Sequence, residues 1–284
     1  MQPIIYASMD YMIVTVDTGG TKTLVAGFTR DGIPRGEVKF PTPSTPSEYI
    51  KKLTDVLIEE FGSQKVAAIA IAMPGIVKDN VALYCQNLGW KNFDVAKALT
   101  GVLGGAPIFV DNDANLAGIA ETRSLHTIPR LSLYVTISTG IGTGFITNGR
   151  IDPALRHSEG GLSVLEFEGA QRTWESFASG GAIHRHYKQY ARDITSRRIW
   201  NQIANHISRG FLTIIPTTQP EVIIIGGSIG TYFDQYKDQL IDILKDKLPP
   251  QIPVPKIIQA KHPEQAVIYG CYYYALDSLA DIAS

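Results

Sequence analysis

Twice in this chain an apolar, β-branched run breaks into a turn of glycines and threonines and then resumes. Residues 13–32 read IVTVDTGGTKTLVAGFTRDG, and residues 133–149 read LYVTISTGIGTGFITNG. Each copy closes on a DG or NG pair, the signature of a tight β-hairpin turn. Glycine lets backbone amides approach an anion closely, and Thr and Ser add hydroxyl donors. Two such loops facing each other would cradle a polyphosphate from both sides, which points to phosphoryl transfer. A plain hairpin turn would explain the first loop alone, and the GxxxxGK[ST] spacing of a Walker loop is absent. The second copy decides the matter: Gly140, Gly142 and Gly144 alternate along a strand they would only weaken unless a ligand comes close. Asp17 is accordingly read as holding a hydrated Mg²⁺, with Gly19, Gly20, Thr21 and Lys22, and Thr139, Gly140 and Gly142, facing the phosphates.

Composition closes off other classes. The 284 residues suffice for two domains with sizeable cores. Lys and Arg number 26 against 27 Asp and Glu, so no basic stripe marks a nucleic-acid partner. The opening MQPIIYASMDYMIVTVD has no basic leader, and no stretch is long enough to span a bilayer. Cys85 and Cys271 are the only cysteines, too few for a disulfide framework or a zinc cluster. A reducing cytoplasm is the expected compartment.

Strand and helix signals alternate along the chain. After the first hairpin (about 12–30), residues 47–62 carry an amphipathic stripe of Ile50, Leu53, Leu57 and Phe61 that Gly62 stops. Strand 66–75, helix 93–104, strand 106–113 and a helix beginning right after Asp113 follow. The second half repeats the scheme: hairpin 131–147, helices 174–192 and 199–215, strand 221–227, helix 231–247, strand 256–259 and a helix from about 264. The result is an α/β chain of two halves, each opened by a Gly-loop hairpin, with sheets largely parallel elsewhere. The Pro-rich stretch 41–46 reads as a surface connection.

At the strand-to-helix junction stands Val110-Asp111-Asn112-Asp113-Ala114-Asn115. Ligands bind beyond the carboxyl ends of parallel strands, and a carboxylate there can take the proton of a hydroxyl that attacks a phosphoryl group. An N-cap would need one acidic or amide residue; three in a row exceed that need. Asn87, in the turn Asn87-Leu88-Gly89-Trp90, suits a polyol because its amide both donates and accepts, although an Asn satisfying its own turn explains it as well.

In order along nearly the whole chain, DTGGTKT, AMPG (72–75), NLGW (87–90), VDNDAN (110–115), STGIGTG (138–144) and IIIGG (223–227) resemble the ROK family of bacterial sugar kinases and related repressors. The resemblance implies an actin/hexokinase-like fold of two ribonuclease-H-like domains with ATP and sugar in the cleft, and a homodimer. It implies a small N-terminal domain, residues 1–112 completed by a C-terminal helix (about 264–284), and a large domain, 113–263. By position Asp113 matches the catalytic base. Gly75, Asn87, Asn112 and Glu159 match the sugar side, and Glu175 matches a residue near the anomeric centre. Gly226 and Gly227 match the turn beside the adenosine. Two departures stand out. Leu162 replaces the His of the family's GE-x-GH segment, and the CxCGxxGCxE zinc cluster is missing from FEGAQRTWESFASGG (167–181). Tetrahedral zinc needs four ligands, and this stretch has no thiolate to offer. His184 and His186, at i and i+2, point to different helix faces and read as surface or packing residues. Apolar packing of Leu162, Val164, Leu165, Phe167, Trp174 and Phe177 is the expected substitute for the metal.

The expected activity is therefore Mg²⁺-dependent transfer of the ATP γ-phosphoryl to the 6-hydroxyl of a hexose, glucokinase-like. Inorganic polyphosphate is the alternative donor, with Arg123, Arg130, Arg150 and Arg156 as a candidate cationic track. A sugar-responsive repressor is expected to carry a helix-turn-helix before the first loop, and that loop begins by residue 17. A silent sugar sensor is expected to have lost its base or a loop, yet Asp17, Asp113 and both loops are retained.

Overall fold

The computed structural model describes residues 11–85, 87–262 and 265–284. The segment 1–10, read above for its lack of a basic leader, and residue 264, where the last helix was expected to begin, lie outside the described residues. The chain divides into two compact units, one running up to Ala120 and resuming at Gln265–Ser284, the other formed by the stretch between.

The first unit contains β1 (Met12–Thr18), β2 (Lys22–Thr29), β3 (Pro34–Pro41), α1 (Pro46–Phe61), β4 (Val66–Met73), β5 (Ile76–Lys78), β6 (Val81–Cys85), β7 (Trp90–Asp94), α2 (Val95–Ala98), β8 (Ile108–Asn112) and the start of α3 (Asp113–Arg123). Its main sheet has the order β3-β2-β1-β4-β8. β1 and β2 form the antiparallel hairpin, whereas β1, β4 and β8 run parallel. β4 is the apolar run VAAIAIAM, buried along almost its whole length, as a parallel strand covered on both faces must be. α1 starts on a Thr N-cap: the Thr45 hydroxyl accepts from the Glu48 amide and donates to the Glu48 carboxylate. Its apolar stripe, Leu53, Leu57 and Phe61, packs with Val14, Val16, Ile69 and Ile71.

The second unit repeats the plan. It comprises β9 (Leu131–Ile137), β10 (Ile141–Thr147), β11 (Arg150–Ile151), β12 (Val164–Phe167), β13 (Ala170–Thr173), α4 (Trp174–Ala178), α5 (Gly180–Tyr187), α6 (Arg197–Thr218), β14 (Val222–Gly226), α7 (Gly227–Gly230), α8 (Lys237–Lys247) and β15 (Lys256–Gln259). The sheet order, β11-β10-β9-β14-β15, mirrors the first, each sheet having two antiparallel pairings on one side and three parallel strands on the other. Trp174, Trp200, Phe211 and Ile225 are among its fully buried core residues.

Helix α9 (Ala266–Ala283) returns to the first unit and packs on β1 and β4. Gly270 lets its backbone press on the Leu116 carbonyl of α3, where a Cβ would collide. This contact keeps α3 with the first unit. The division consequently falls near the end of α3, at Ala120/Glu121, rather than at its first residue as the sequence suggested.

Several expectations are corrected. The helix expected over 93–104 shrinks to α2: β7 runs through Asp94, and Leu103, Gly104 and Gly105 adopt positive φ, which breaks any helix. The helix expected over 174–192 splits at Ser179, whose hydroxyl caps α5 by accepting from the Ala182 amide. The helix expected over 231–247 begins only at Lys237. α3 begins at Asp113 itself. Among the described residues no helix is long and apolar enough to cross a membrane.

Candidate active site

In the first unit the candidate residues gather at the carboxyl ends of three neighbouring parallel strands. Asp17 pairs with Ala72 of β4, and Ala72 pairs with Asp111 of β8 on its other side. The small alanine separates two acidic positions in one row of the sheet. Beyond it the run Asp111-Asn112-Asp113 divides its labour. Buried Asp111 accepts from the Asn112 amide (2.7 Å) and the Asn115 side chain (2.8 Å), locking the turn. Asn112 caps α3 by accepting from the amides of Ala114 and Asn115, and donates its own side-chain amide to the Gly75 carbonyl at 2.7 Å. Gly75 sits at φ +86°, and a Cβ would strike the Tyr84 carbonyl, so only glycine fits there.

That leaves Asp113. It is half-buried at the start of α3, with Oδ1 accepting from the Ala114 amide at 2.8 Å. Burial lifts its carboxyl to about 6, against the opposing pull of backbone N–H donors. Asp17, also half-buried, is pushed to about 7, by burial first and then by the charge of Asp113, with Lys39 acting the other way. Of the two, Asp113 is the more readily ionised, and Asp17 holds its proton more tightly. A carboxyl lifted toward neutrality is what a general base requires, whereas a cation at Asp17 would have to displace its proton.

The first loop runs beside them. Gly20, Thr21 and Lys22 are exposed, and Gly20 lies against Asn87 closely enough that a Cβ would be 3.2 Å from the Asn87 Cβ. Asn87 is itself exposed in the turn between β6 and β7, held by amides of Leu88 and Gly89 donating to the Cys85 carbonyl. Trp90 closes this turn. Its ring packs on Tyr49 at 5.1 Å, and its Nε1 donates to the Ser44 carbonyl at 2.9 Å. The Tyr49 hydroxyl in turn bonds Thr18, at the base of the loop, at 2.6 Å.

In the second unit the loop Ser138–Gly144 is framed from two sides. The Ser138 carbonyl accepts from the Gly180 amide at 2.7 Å, and its hydroxyl accepts from the Ser228 amide at 3.0 Å. The latter bond ties the loop to the Gly226–Gly227 turn. Gly227 has φ +77°, and a Cβ would meet the Ile137 carbonyl and the Thr136 and Ser138 hydroxyls. The Glu159 segment is fastened to β10: the Thr143 hydroxyl donates to the Ser158 carbonyl and accepts from the Gly160 amide. Glu175 reaches the loop itself. Its Oε2 accepts from the Ile141 amide at 3.3 Å and lies 2.7 Å from where a Gly140 Cβ would stand. The resemblance assigned Glu175 to the sugar side; the structure shows its carboxylate bonded to the second glycine loop.

The stretch without cysteines is held differently from the expectation. Trp174, Phe167 and Phe177 are buried, and the two Phe rings stack at 4.1 Å. Leu162 and Val164 are 43% and 62% exposed, so they take no part in a core. Their segment leads into the exposed β12–β13 hairpin, which no sequence signal announced. Among the described residues no group of three or more His, Cys, Asp or Glu could hold a metal ion. His184 stacks on Tyr190 at 4.2 Å and His186 is exposed.

The family model for the ROK family matches residues 13–278, and the chain belongs to that family. A fructokinase of Lactococcus lactis subsp. cremoris is 29% identical over 234 residues, which cover 76% of this chain and 78% of that protein. An N-acetylmannosamine kinase of Yersinia pestis is 26% identical over 294 residues, 94% of this chain and 99% of the relative. The crystal structure of a ROK glucokinase from Streptomyces griseus, in complex with glucose and AMPPNP, superposes with a TM-score of 0.78 at 20% identity, covering 94% and 99% of the two chains. That likeness shows a shared ROK hexokinase-like α/β fold.

Proposed function

We propose that this chain is a sugar kinase that transfers the γ-phosphoryl of ATP to the 6-hydroxyl of a hexose, glucokinase-like. The observation that carries the reading is Asp113: a carboxylate at a strand mouth, lifted to about 6, with one oxygen tethered by a backbone amide. Such a group is ionised at neutral pH yet basic enough to receive the hydroxyl proton as the oxygen attacks phosphorus. The tether fixes which oxygen is free to do so. Asn87, Asn112, Gly75, Glu159 and Glu175 are the proposed sugar ligands, on the family resemblance of their positions. Asn112 reaches the sugar only with its capped geometry intact, so its amide acts from a fixed position.

On the donor side the proposed ligands are Gly19, Gly20, Thr21 and Lys22 of the first loop, Thr139, Gly140 and Gly142 of the second, and the Gly226–Gly227 turn. Asp17 suits a hydrated Mg²⁺: carboxylate oxygens are hard ligands, and a cation there would offset the burial and, after it, the repulsion with Asp113 that raise the Asp17 carboxyl. When bound, the ion offsets charge on the phosphates. Lys22, exposed at the loop's end, adds a second positive charge on the same side.

The test is steady-state kinetics across glucose, mannose, fructose, N-acetylglucosamine and N-acetylmannosamine, each with ATP and with polyphosphate, and with product analysis for the 6-phosphate. Turnover of at least one hexose with ATP is expected. Absence of phosphoryl transfer to every sugar from either donor would overturn the reading.

A further inference from the structure

The glycine turn of the first loop is largely exposed and closes on itself through the Gly19 amide, which donates to the Lys22 carbonyl at 2.9 Å, so the Gly19 and Thr21 carbonyls are left to be fixed by another group. The group that fixes them comes from outside every motif, in the Pro-flanked segment after β3. Thr42 makes two bonds to the loop and one to Thr23 of the strand that leaves it. Its amide donates to the Thr21 carbonyl at 3.1 Å, its hydroxyl donates to the Gly19 carbonyl at 2.8 Å, and its hydroxyl meets the Thr23 hydroxyl at 2.9 Å. A hydroxyl has one proton. Since that of Thr42 goes to Gly19, the Thr23 hydroxyl must be the donor of the third bond. The relay therefore has one direction, from Thr23 through Thr42 to the Gly19 carbonyl.

Its consequence lies in the peptide planes. Every described peptide is trans, and in a trans peptide the N–H of one residue points opposite the carbonyl before it. With the carbonyls of Gly19 and Thr21 both drawn to Thr42, the amides of Gly20 and Lys22 are turned the other way, as donors on the face opposite Thr42. We infer that Thr42 is a positioning residue for the phosphate donor: it aims the amides of Gly20 and Lys22 at the phosphates through the Gly19 and Thr21 carbonyls, without touching the donor itself. This rests on the reading of residues 17–22 as a phosphate loop.

The variants Thr42→Val and Thr42→Ser, made in the full chain, separate the hydroxyl from the shape of the side chain. Thr42→Val keeps the branched volume and the backbone bond but ends the relay. It is expected to raise KM for ATP and Kd for MgADP, by titration calorimetry, about tenfold, the effect of losing one well-placed bond, while KM for the sugar stays within about twofold. Thr42→Ser should restore the wild-type ratio of the two KM values. An equal rise in both KM values, an unchanged donor KM in Thr42→Val, or a Ser variant as impaired as Val would each overturn the assignment. Failure of the kinase reading is recognised separately, as wild-type protein that binds MgADP but phosphorylates no sugar; the calorimetric comparison then still decides the role of Thr42. Wild-type protein that binds no nucleotide would sink the positioning role outright.

Discussion

The two units share one strand plan and use it differently. Where β1 carries Asp17 as its next-to-last residue, β9 carries Thr136. Where β8 runs into Asp113 at the start of α3, its counterpart β15 runs into Ala260 and Lys261, and the β14 strand beside it ends in the Gly226–Gly227 turn. The first unit thus concentrates ionisable groups at its strand ends, and burial raises both carboxyls. The second supplies backbone: carbonyls, hydroxyls and close-packed glycines around Ser138, with its carboxylates Glu159 and Glu175 brought in on a segment added between β11 and α5. A duplicated scaffold allows this division because strand ends set the geometry while the residues placed there set the chemistry. Charge tuning and shape tuning can then change independently.

The sharpest way to break that contrast is Asp113→Asn. It keeps shape and hydrogen bonding but cannot accept a proton, so turnover should fall by roughly 10²–10⁴-fold with sugar affinity largely kept. Near-normal turnover would show that the acidic pair is not where proton transfer happens. In the wild type the same group predicts an acidic limb: the base must be ionised, so kcat/KM should fall as pH drops through about 6. A profile flat down to pH 5 would contradict it.

Asp17→Ala should reduce turnover by one to two orders of magnitude and barely alter sugar binding, since the residue serves the cation and the donor. The matching experiment on wild-type protein is removal of divalent cations with EDTA, where activity is expected to vanish and to return with Mg²⁺. Activity persisting in excess EDTA would remove Asp17 from the donor side.

Trp174→Ala tests the second unit. The ring is buried against Phe211 at 5.4 Å, and truncating such a residue costs about 3–5 kcal/mol. Because Glu175 follows it directly and bonds the Ile141 amide, KM should rise several-fold for sugar and by a smaller factor for ATP. A change confined to melting temperature would show that the helix start positions neither ligand.

A smaller effect concerns stability. The folded Asp17 carboxyl titrates at about 7 against an ordinary 3.8, so the folded chain holds that proton more tightly than the unfolded chain. Ionisation therefore costs stability progressively as pH rises from about 4 through 7. Asp17→Asn removes that cost and should raise Tm by a few degrees at pH 8, with the gain fading below pH 4. A constant gain at all pH values would assign it to packing instead. At the end of the scale, a zinc-selective chelator is expected to leave both Tm and activity unchanged, read by calorimetry and elemental analysis; one tightly bound zinc per chain would overturn this.

What the sequence disclosed was what is local. The glycine loops, the apolar β4 run and the capped α1 announce themselves because turn chemistry, burial and capping act over a few residues. The Asp113 position was legible for the same reason, as a strand end followed at once by a helix. Residues 93–104 misled because VAKAL favours helix while Asn92, Leu103 and the glycines beyond it take positive φ, which pattern alone does not reveal. The β12–β13 hairpin was missed because both strands are short and mostly exposed, leaving no clean alternation. Thr42, Tyr49 and the contact of Glu175 with Ile141 were invisible for a different cause. Each joins segments some 20 to 35 residues apart, a distance over which no periodicity carries information.

One earlier feature bears on how the molecule comes into being. The α9 backbone rests on α3 at Gly270 and covers β1 and β4, yet α9 follows the entire second unit in the chain. A ribosome releases β1 to β8 first, but their sheet lacks one covering layer until the last helix emerges. Completion of the first unit therefore waits on a helix that follows the whole second unit, and the layer over β1 and β4 forms only once α9 has docked.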